Sequence, residues 1–410
     1  MASGKLDTEH FRALLTPDLL RLESLFRSEG YGFRLVGGVV RDLLLGLPPK
    51  DVDIATECTP QNMIKLFKAH KIRYIPTGLE HGTITVHINS ADYEITTLRV
   101  DRVTDGRHAV VDFTTDWRTD ALRRDLTINA MSLELDGTLY DYFQGQKHLA
   151  EKKILFVGDA KTRIEEDYLR ILRYFRFYGR IVPEKDQHDP ATLAVIRETA
   201  QGLKWVSVER VWVEIGKILI GNFAPHLIAV MYQLGVAENI GLPAGGNIAE
   251  LEQVWTTMLG HGHRLQPATL LMSLTHSVQE AYNLARTWKL SNNEKRLGVF
   301  VVQHRNTAYN SGTPIKFYQD LLVDGAPIDS VLELLYYCGR VDVATELEIW
   351  KVPKLPVNGK DLKMAGFQAG PGMGRLLKVL HVKWKESYFT LSQEELMAVA
   401  EKMKGRQETL

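Results

Sequence analysis

Two aspartates, Asp51 and Asp53, stand close behind a Gly-Gly turn in the stretch FRLVGGVVRDLLLGLPPKDVDIAT, Phe33 to Thr56. The stretch reads as strand, glycine turn, helix, loop and strand, with the two carboxylates at i and i+2 on the second strand. Alternate strand residues share a face. Both carboxylates therefore aim at one point, which suits a pair of divalent metal ions. Gly37 and Gly38 let backbone N–H groups approach an anion, and the helix start behind them favours phosphate. Metal, phosphate and backbone donors in one short stretch predict nucleotidyl or phosphoryl transfer.

A D-x-D pair alone is common at exposed strand ends and carries little weight. Three companions add to it. Arg41 and Asp42 follow the glycines and complete an anion site one helix upstream. Glu94, in YEITTLR, sits on a later strand and offers a third carboxylate; its plain alternative is an edge-strand charge. DALRRDLTINAM, Asp120 to Met131, sets Arg123, Arg124 and Asp125 in a row on a predicted helix, which otherwise reads as a solvated face with local ion pairs. A further block, RIEEDYLRILRYFRFYGR, spans Arg163 to Arg180. At about 100° per residue, Arg163, Glu166, Asp167, Arg170, Arg173 and Arg180 share one face, opposite Ile164, Tyr168, Ile171, Leu172 and Phe175. Taken alone this is an amphipathic helix in which Glu166 and Asp167 pair with Arg170.

These residues need a scaffold, and the chain supplies one in two parts. From 31 to 145 strand-like runs (FRLVGG, KDVDIAT, GTITVHI, DYEITTLRV) alternate with helical stretches, an α/β arrangement. In TPQNMIKLFKAH, Thr59 is a predicted N-cap and Pro60 suits the first turn. A leading helix covers about residues 10 to 30. The polar stretch Val100 to Trp117 reads as a mobile loop beside a site. After about residue 145 strand signals fade, and residues 160–183, 206–221, 267–291 and 327–349 read helical. The fold class predicted is α+β: a mixed-sheet head followed by an all-α remainder.

The 410 residues suggest two to four domains. Two cysteines, Cys58 and Cys338, exclude a zinc framework or a disulfide scaffold and predict a reducing compartment. No apolar run has transmembrane length. The start lacks a secretory apolar core, and Asp7 and Glu9 are atypical of a mitochondrial presequence. A cytosolic chain is the expectation, with mitochondrial and nuclear pools left open. Fifty basic and fifty acidic residues give zero formal charge, so nucleic-acid binding would need a local patch.

Together the blocks resemble the class II tRNA nucleotidyltransferases, the CCA-adding enzymes, of animal type and over essentially the whole chain. LVGGVVRDLLLGLPPKDVDIAT resembles the metal-binding motif of this polymerase β superfamily. RRDLTINAM resembles the ribose-sensing motif and EEDYLRILRYFRF the base-reading E-D-x-x-R motif. KWVSVERVWVEIGKIL is similar to the neck motif around Glu209 and Arg210, and PVNGKDLKMAG to a tail segment. The resemblance implies a head over 1–145, a neck over 146–222, a helical body over 223–325 and a helical tail over 326–410. It implies transfer of nucleoside monophosphates from CTP and ATP to the tRNA 3′ end without a nucleic-acid template, with pyrophosphate leaving.

The resemblance also assigns roles. Asp51, Asp53 and Glu94 would be catalytic, with Asp51 and Asp53 holding Mg2+, a hard cation suited to oxygen ligands. Gly37, Gly38 and Arg41 would hold the triphosphate. Arg123, Arg124 and Asp125 would lie at the ribose and phosphates. Asp167 and Arg170 would read the base, with Arg173 and Arg176 also binding nucleotide. Cytosine and adenine both present an exocyclic amine beside a ring-nitrogen acceptor, which match a carboxylate and a guanidinium. Uracil and guanine turn a carbonyl to the carboxylate instead. tRNA, held by shape through backbone and 2′-hydroxyls, would meet Lys360, Lys363, Arg375 and Lys378 in the tail.

One motif departs from the family. In DYFQGQKHLAEKKILFVG, Asp141 to Gly158, His148 replaces an acidic or small residue and Leu155 replaces an arginine of a spring-like hinge. A chain restricted to CC addition, or to A addition, is therefore an alternative. A poly(A) polymerase shares the head, and a non-catalytic RNA-binding protein on this scaffold is the rival from another class.

Overall fold

Alternating apolar residues build one mixed sheet and tell it which face to bury. The computed structural model describes residues 2–89, 91–104, 109–310 and 312–407. The strands are β1 (Ala2–Lys5), β2 (Phe33–Val36), β3 (Asp53–Thr56), β4 (Arg73–Gly78), β5 (Thr83–Ile88), β6 (Ala91–Thr97), β7 (Arg99–Thr104), β8 (Ala109–Phe113), β9 (Ser132–Leu133) and β10 (Thr138–Tyr140). Eight of them form a sheet in the order β1-β10-β9-β2-β3-β6-β5-β4. The β3–β6 pair is parallel and its neighbours are antiparallel. Phe33 and Leu35 of β2 and Ile84 and Val86 of β5 are buried at period two. The helices Pro17–Ser28 and Pro60–Ala69 cover that face. Phe26 meets Phe33 at 5.2 Å and Phe67 at 5.9 Å between ring centroids, offset or edge-on as aromatic quadrupoles prefer.

Strands β2, β3, β5 and β6 and the Thr59 cap with Pro60 behind it lie where the sequence predicts. Other elements differ. The leading helix is two helices, Glu9–Leu14 and Pro17–Ser28, because Thr16 caps a new start with Pro17 in its first turn. β4 is an edge strand containing Pro76, with a register irregularity between Ile75 and Gly78; edges and irregularities are where a sheet tolerates proline. The expected loop over 100–117 is largely the hairpin β7–β8, and residues 105–108 lie outside the described residues.

The block from Arg163 to Arg180 is not one helix. It is Ala160–Glu166 and Leu169–Ile181, with Asp167 extended at φ −155°, ψ 102°. Asp167 Oδ1 accepts from Leu169 N at 3.2 Å and so starts the second helix. Tyr168 packs where only glycine leaves room: a Cβ on Gly202 would lie 2.0 Å from its ring. The row Arg123, Arg124, Asp125 likewise lies beyond its helix, which ends at Leu122.

The chain divides into two units, residues 1–248 with 283–290, and residues 249–282 with 291–410. The first holds the sheet and the helices up to residue 248. The second is helical. Its C-terminal part has its own core of Val357, Leu362, Leu380, Trp384, Leu396 and Ala400. Lys360, Lys363, Arg375 and Lys378 are all exposed in this part of the chain. No helix of the described residues is long and apolar enough to cross a membrane.

Candidate active site

Asp53 opens β3, and Asp51 stands two residues earlier in a bend rather than on the strand. The parallel pairing sets Asp53 opposite Glu94 on β6. Directly opposed residues of neighbouring strands share a face, so a long-range register brings the third carboxylate to the first two. Burial raises the Asp53 carboxyl above its ordinary range and Asp51 adds to this, while Arg124 opposes it. Glu94 is raised by burial and then by the charges of Asp53 and Asp51. Mutual repulsion of this kind is what a divalent cation relieves, and an all-carboxylate donor set fits a hard ion. Among the described residues, no three acidic, histidine or cysteine side chains are drawn into ligating positions.

The turn after β2 follows from glycine. Gly37 has φ +71°, and a Cβ there would sit 3.0 Å from Arg124 Nη1. Gly38 then starts the helix Gly38–Leu44. Arg124 thus lies beside both the glycine turn and Asp53. Arg41, on the third residue past Gly38, is buried with Asp42. Its Nε donates to Asp42 Oδ1 at 2.9 Å and its Nη1 to Asn129 Oδ1 at 2.5 Å. Burial lowers its pKa, Asp42 opposes the shift, and the charges of Arg180 and Arg176 add to it.

The segment after Leu122 fans its charges out. Arg123 and Arg124 both turn back to Asp120, at 2.8 and 3.2 Å. Burial works against the Asp120 charge, but the two arginines outweigh it and hold the carboxyl below its usual range. Asp125 points the other way. Its Oδ2 accepts from Arg173 Nε at 2.6 Å and its Oδ1 from Asn129 Nδ2 at 3.2 Å. Burial again opposes the charge and Arg173 overcomes it, so Asp125 stays ionised.

The helix Leu169–Ile181 faces this fan with its arginines. Arg170 is buried: Nη1 donates to Arg163 O and Glu166 Oε2, each at 2.8 Å, and Nη2 to Arg123 O at 2.8 Å. Arg176 donates to Glu214 at 3.1 and 3.2 Å, and Arg180 to Asp42 at 3.0 and 2.9 Å. The predicted Glu166–Arg170 pair forms, but Asp167, turned out by the break, meets Arg210 Nη2 at 2.7 Å instead of Arg170. Glu209 pairs with Lys289 on the surface. Sequence reasoning names Asp42 only beside Arg41, and gives Asp120, Asn129 and Glu214 no site role. The signal of all four is burial of polar side chains, 3–5 % exposed, which a one-dimensional reading does not carry.

In the departing segment, His148 Nδ1 and Thr127 Oγ1 are 2.9 Å apart, and Thr127 N donates to Leu155 O at 3.0 Å. Leu155 makes its tie with a carbonyl, which any residue provides.

Neighbouring carboxylates beside a glycine turn and an arginine cluster fit a nucleotidyltransferase head. Comparison with known proteins agrees. Residues 33–155 match the family model described as "Poly A polymerase head domain", and residues 187–243 match "Probable RNA and SrmB- binding site of polymerase A". The chain is 46 % identical over 401 residues to "CCA tRNA nucleotidyltransferase 1, mitochondrial" of Danio rerio, covering 96 % of this chain and 93 % of that one. It is 46 % identical over 405 residues to the protein of the same name from Homo sapiens, covering 97 % and 93 %. The fold is similar to "Crystal structure of Bacillus stearothermophilus CCA-adding enzyme in complex with CTP", with TM-score 0.74, 26 % identity and coverage of 98 % and 100 %. The chain belongs to the CCA-adding tRNA nucleotidyltransferase family, whose members are typically metal-dependent.

Proposed function

We propose that this chain adds C, C and A to the 3′ end of tRNA from CTP and ATP, releasing pyrophosphate, and that Asp51, Asp53 and Glu94 form its catalytic centre. The observation that carries the assignment is the β3–β6 register, which sets Asp53 beside Glu94 where Arg124 and the Gly37 turn also meet. Asp51, Asp53 and Glu94 are the residues that would hold Mg2+, which when bound would supply activation of the attacking 3′-hydroxyl and charge stabilisation of the leaving pyrophosphate. The N–H groups at Gly37 and Gly38, with Arg41 and Arg124, hold the triphosphate. Arg123 is anchored by Asp120 close to them, and Asp125 faces the ribose.

Asp167, held by Arg210, accepts from the exocyclic amine of cytosine or adenine. Arg170 reaches the ring nitrogen by exchanging its bond to the Arg123 carbonyl, which links base reading to the segment that holds the phosphates. Arg173 and Arg176 line the same side of the helix, oriented by Asp125 and Glu214. The cations Lys360, Lys363, Arg375 and Lys378 suit tRNA backbone phosphates. The head, neck, body and tail boundaries at 145, 222 and 325 remain the functional division we propose.

Full CCA addition is favoured over CC-only addition because the animal relatives, 46 % identical, are named CCA tRNA nucleotidyltransferases. It is favoured over poly(A) synthesis because the relatives matched along nearly the whole chain are named for CCA addition. Those names also support a mitochondrial pool. The test is incubation of tRNA lacking CCA with CTP and ATP. A product three nucleotides longer is expected; two added nucleotides mean CC-only addition, and a long A ladder means a polymerase. Asp51→Ala and Asp53→Ala are each expected to abolish incorporation while the chain stays folded by circular dichroism. Normal turnover in either variant removes the catalytic assignment.

A further inference from the structure

Asn129 touches two residues that the proposed reaction uses for different parts of the nucleotide. It lies in the 3-10 turn Thr127–Asn129 and is 5 % exposed. Its Oδ1 accepts from Arg41 Nη1 at 2.5 Å and its Nδ2 donates to Asp125 Oδ1 at 3.2 Å. A guanidinium can only donate and an ionised carboxylate can only accept. The amide orientation is therefore fixed by its two partners. No carboxylate or alkyl side chain at 129 could serve both.

The surroundings explain why such a link is needed. Arg41 is pulled towards Asp42, and Asp42 is shared with Arg180. Asp125 is pulled the other way by Arg173, which also lies 3.8 Å from Glu214. Without a tether, each would settle on its own ion pair, and nothing would fix the distance between the triphosphate arginine and the ribose carboxylate. A hydroxyl-to-carboxylate bond discriminates only if the carboxylate is held where the 2′-hydroxyl arrives.

We propose that Asn129 is a positioning residue for sugar selection: its amide locks the Asp125 carboxylate to the Arg41 anchor, so that a bound triphosphate presents its ribose 2′-hydroxyl to Asp125. This rests on the reading of Asp125 as the ribose contact. Asn129 acts through its bonds to Arg41 and Asp125.

The experiment uses the full-length chain and tRNA lacking CCA, and compares kcat/KM for CTP with that for 2′-deoxyCTP in one enzyme preparation. The ratio cancels any difference in folded fraction, so a merely structural role would not move it. Asn129→Ala removes both bonds. Asn129→Asp keeps the acceptor for Arg41 but replaces the donor with a carboxylate against Asp125. Both variants are expected to lower the CTP preference about tenfold, the scale of one lost charge-assisted hydrogen bond. Inhibition by inorganic triphosphate, which has no sugar, is expected to weaken in Asn129→Ala more than in Asn129→Asp. A preference within about twofold of the parent in both variants, while Asp125→Ala lowers it, overturns the inference alone. A preference unchanged in Asp125→Ala as well overturns the ribose reading and the inference with it.

Discussion

Asp42→Asn removes one charge from a buried carboxylate shared by two arginines while leaving its shape. Asp42 and Arg41 are 5 % and 4 % exposed. The carboxylate accepts from Arg41 Nε at 2.9 Å, lies 2.8 Å from Arg41 Nη2, and accepts twice from Arg180 Nη2. Arg41 cannot shed its proton at any ordinary pH, so it is left as a buried charge against neutral groups alone: the amide that replaces the Asp42 carboxylate, the Asn129 amide and the Phe177 face, 4.7 Å away. Breaking a buried pair by removing one partner costs about 3–5 kcal/mol. The Arg180 side chain is 35 % exposed, and water recovers most of its half, so that contact adds less than about 1 kcal/mol. The expected loss is therefore about 3–5 kcal/mol in the unit that holds the sheet. Urea unfolding measures it as a fall in the midpoint of that unit's transition, and a rise in KM for CTP accompanies it because Arg41 loses its orientation. Arg180→Ala serves as the control, with an expected loss of about 1 kcal/mol or less. A loss below about 1 kcal/mol in Asp42→Asn, with KM unchanged, would refute the claim that Asp42 neutralises Arg41 and holds it in place.

Further outcomes follow from single contacts. Arg210→Ala frees Asp167 from its 2.7 Å partner and should reduce the preference for CTP over UTP about tenfold; unaltered base preference in competitive incorporation would count against the orienting role. Gly145→Ala places a Cβ 2.2 Å from the Thr127 carbonyl oxygen, a backbone atom that cannot yield cheaply, and should cost about 1–3 kcal/mol and slow turnover through the displaced 125–129 segment. A parent-like unfolding midpoint would disprove that clash. His188 stacks at 3.7 Å on Tyr178, and burial, aided by the charge of His226, pushes its pKa down from 6.5 to about 4. The unfolded chain then binds more protons between those values, so His188 contributes stability above about pH 6.5 that is lost as pH falls towards 4. His188→Phe should flatten the decline of stability with acid over that window, and an unchanged slope in pH-dependent urea midpoints would dismiss the assignment.

Local chemistry makes much of this molecule legible in advance. Thr59 before Pro60 announces a helix start from two residues alone, because the cap and the fixed proline φ act within one turn. Period-two burial in GTITVHI needs only the strand's own pleat. β4 is harder, since Pro76 argues against a strand unless the strand is known to be the edge. The helical wheel of Arg163–Arg180 fails at one residue. A constant advance of about 100° assumes an unbroken helix, and the extended Asp167 shifts the phase of everything after it. That single break sends Asp167 to Arg210 and lets Arg170 turn inward to the Arg123 carbonyl.

Residue types, their order and the folding preference of each short stretch can be read from the chain alone. Those preferences come from sterics and hydrogen bonds between near neighbours, so they survive without knowledge of the rest. Tertiary structure decided which charges meet. Asp53 finds Glu94 through a parallel strand register, Asp42 finds Arg180 across 138 positions, and Asp125 finds Arg173 across 48. Coulomb attraction in a buried site depends on distance and dielectric, and both are properties of the folded chain rather than of any segment of it.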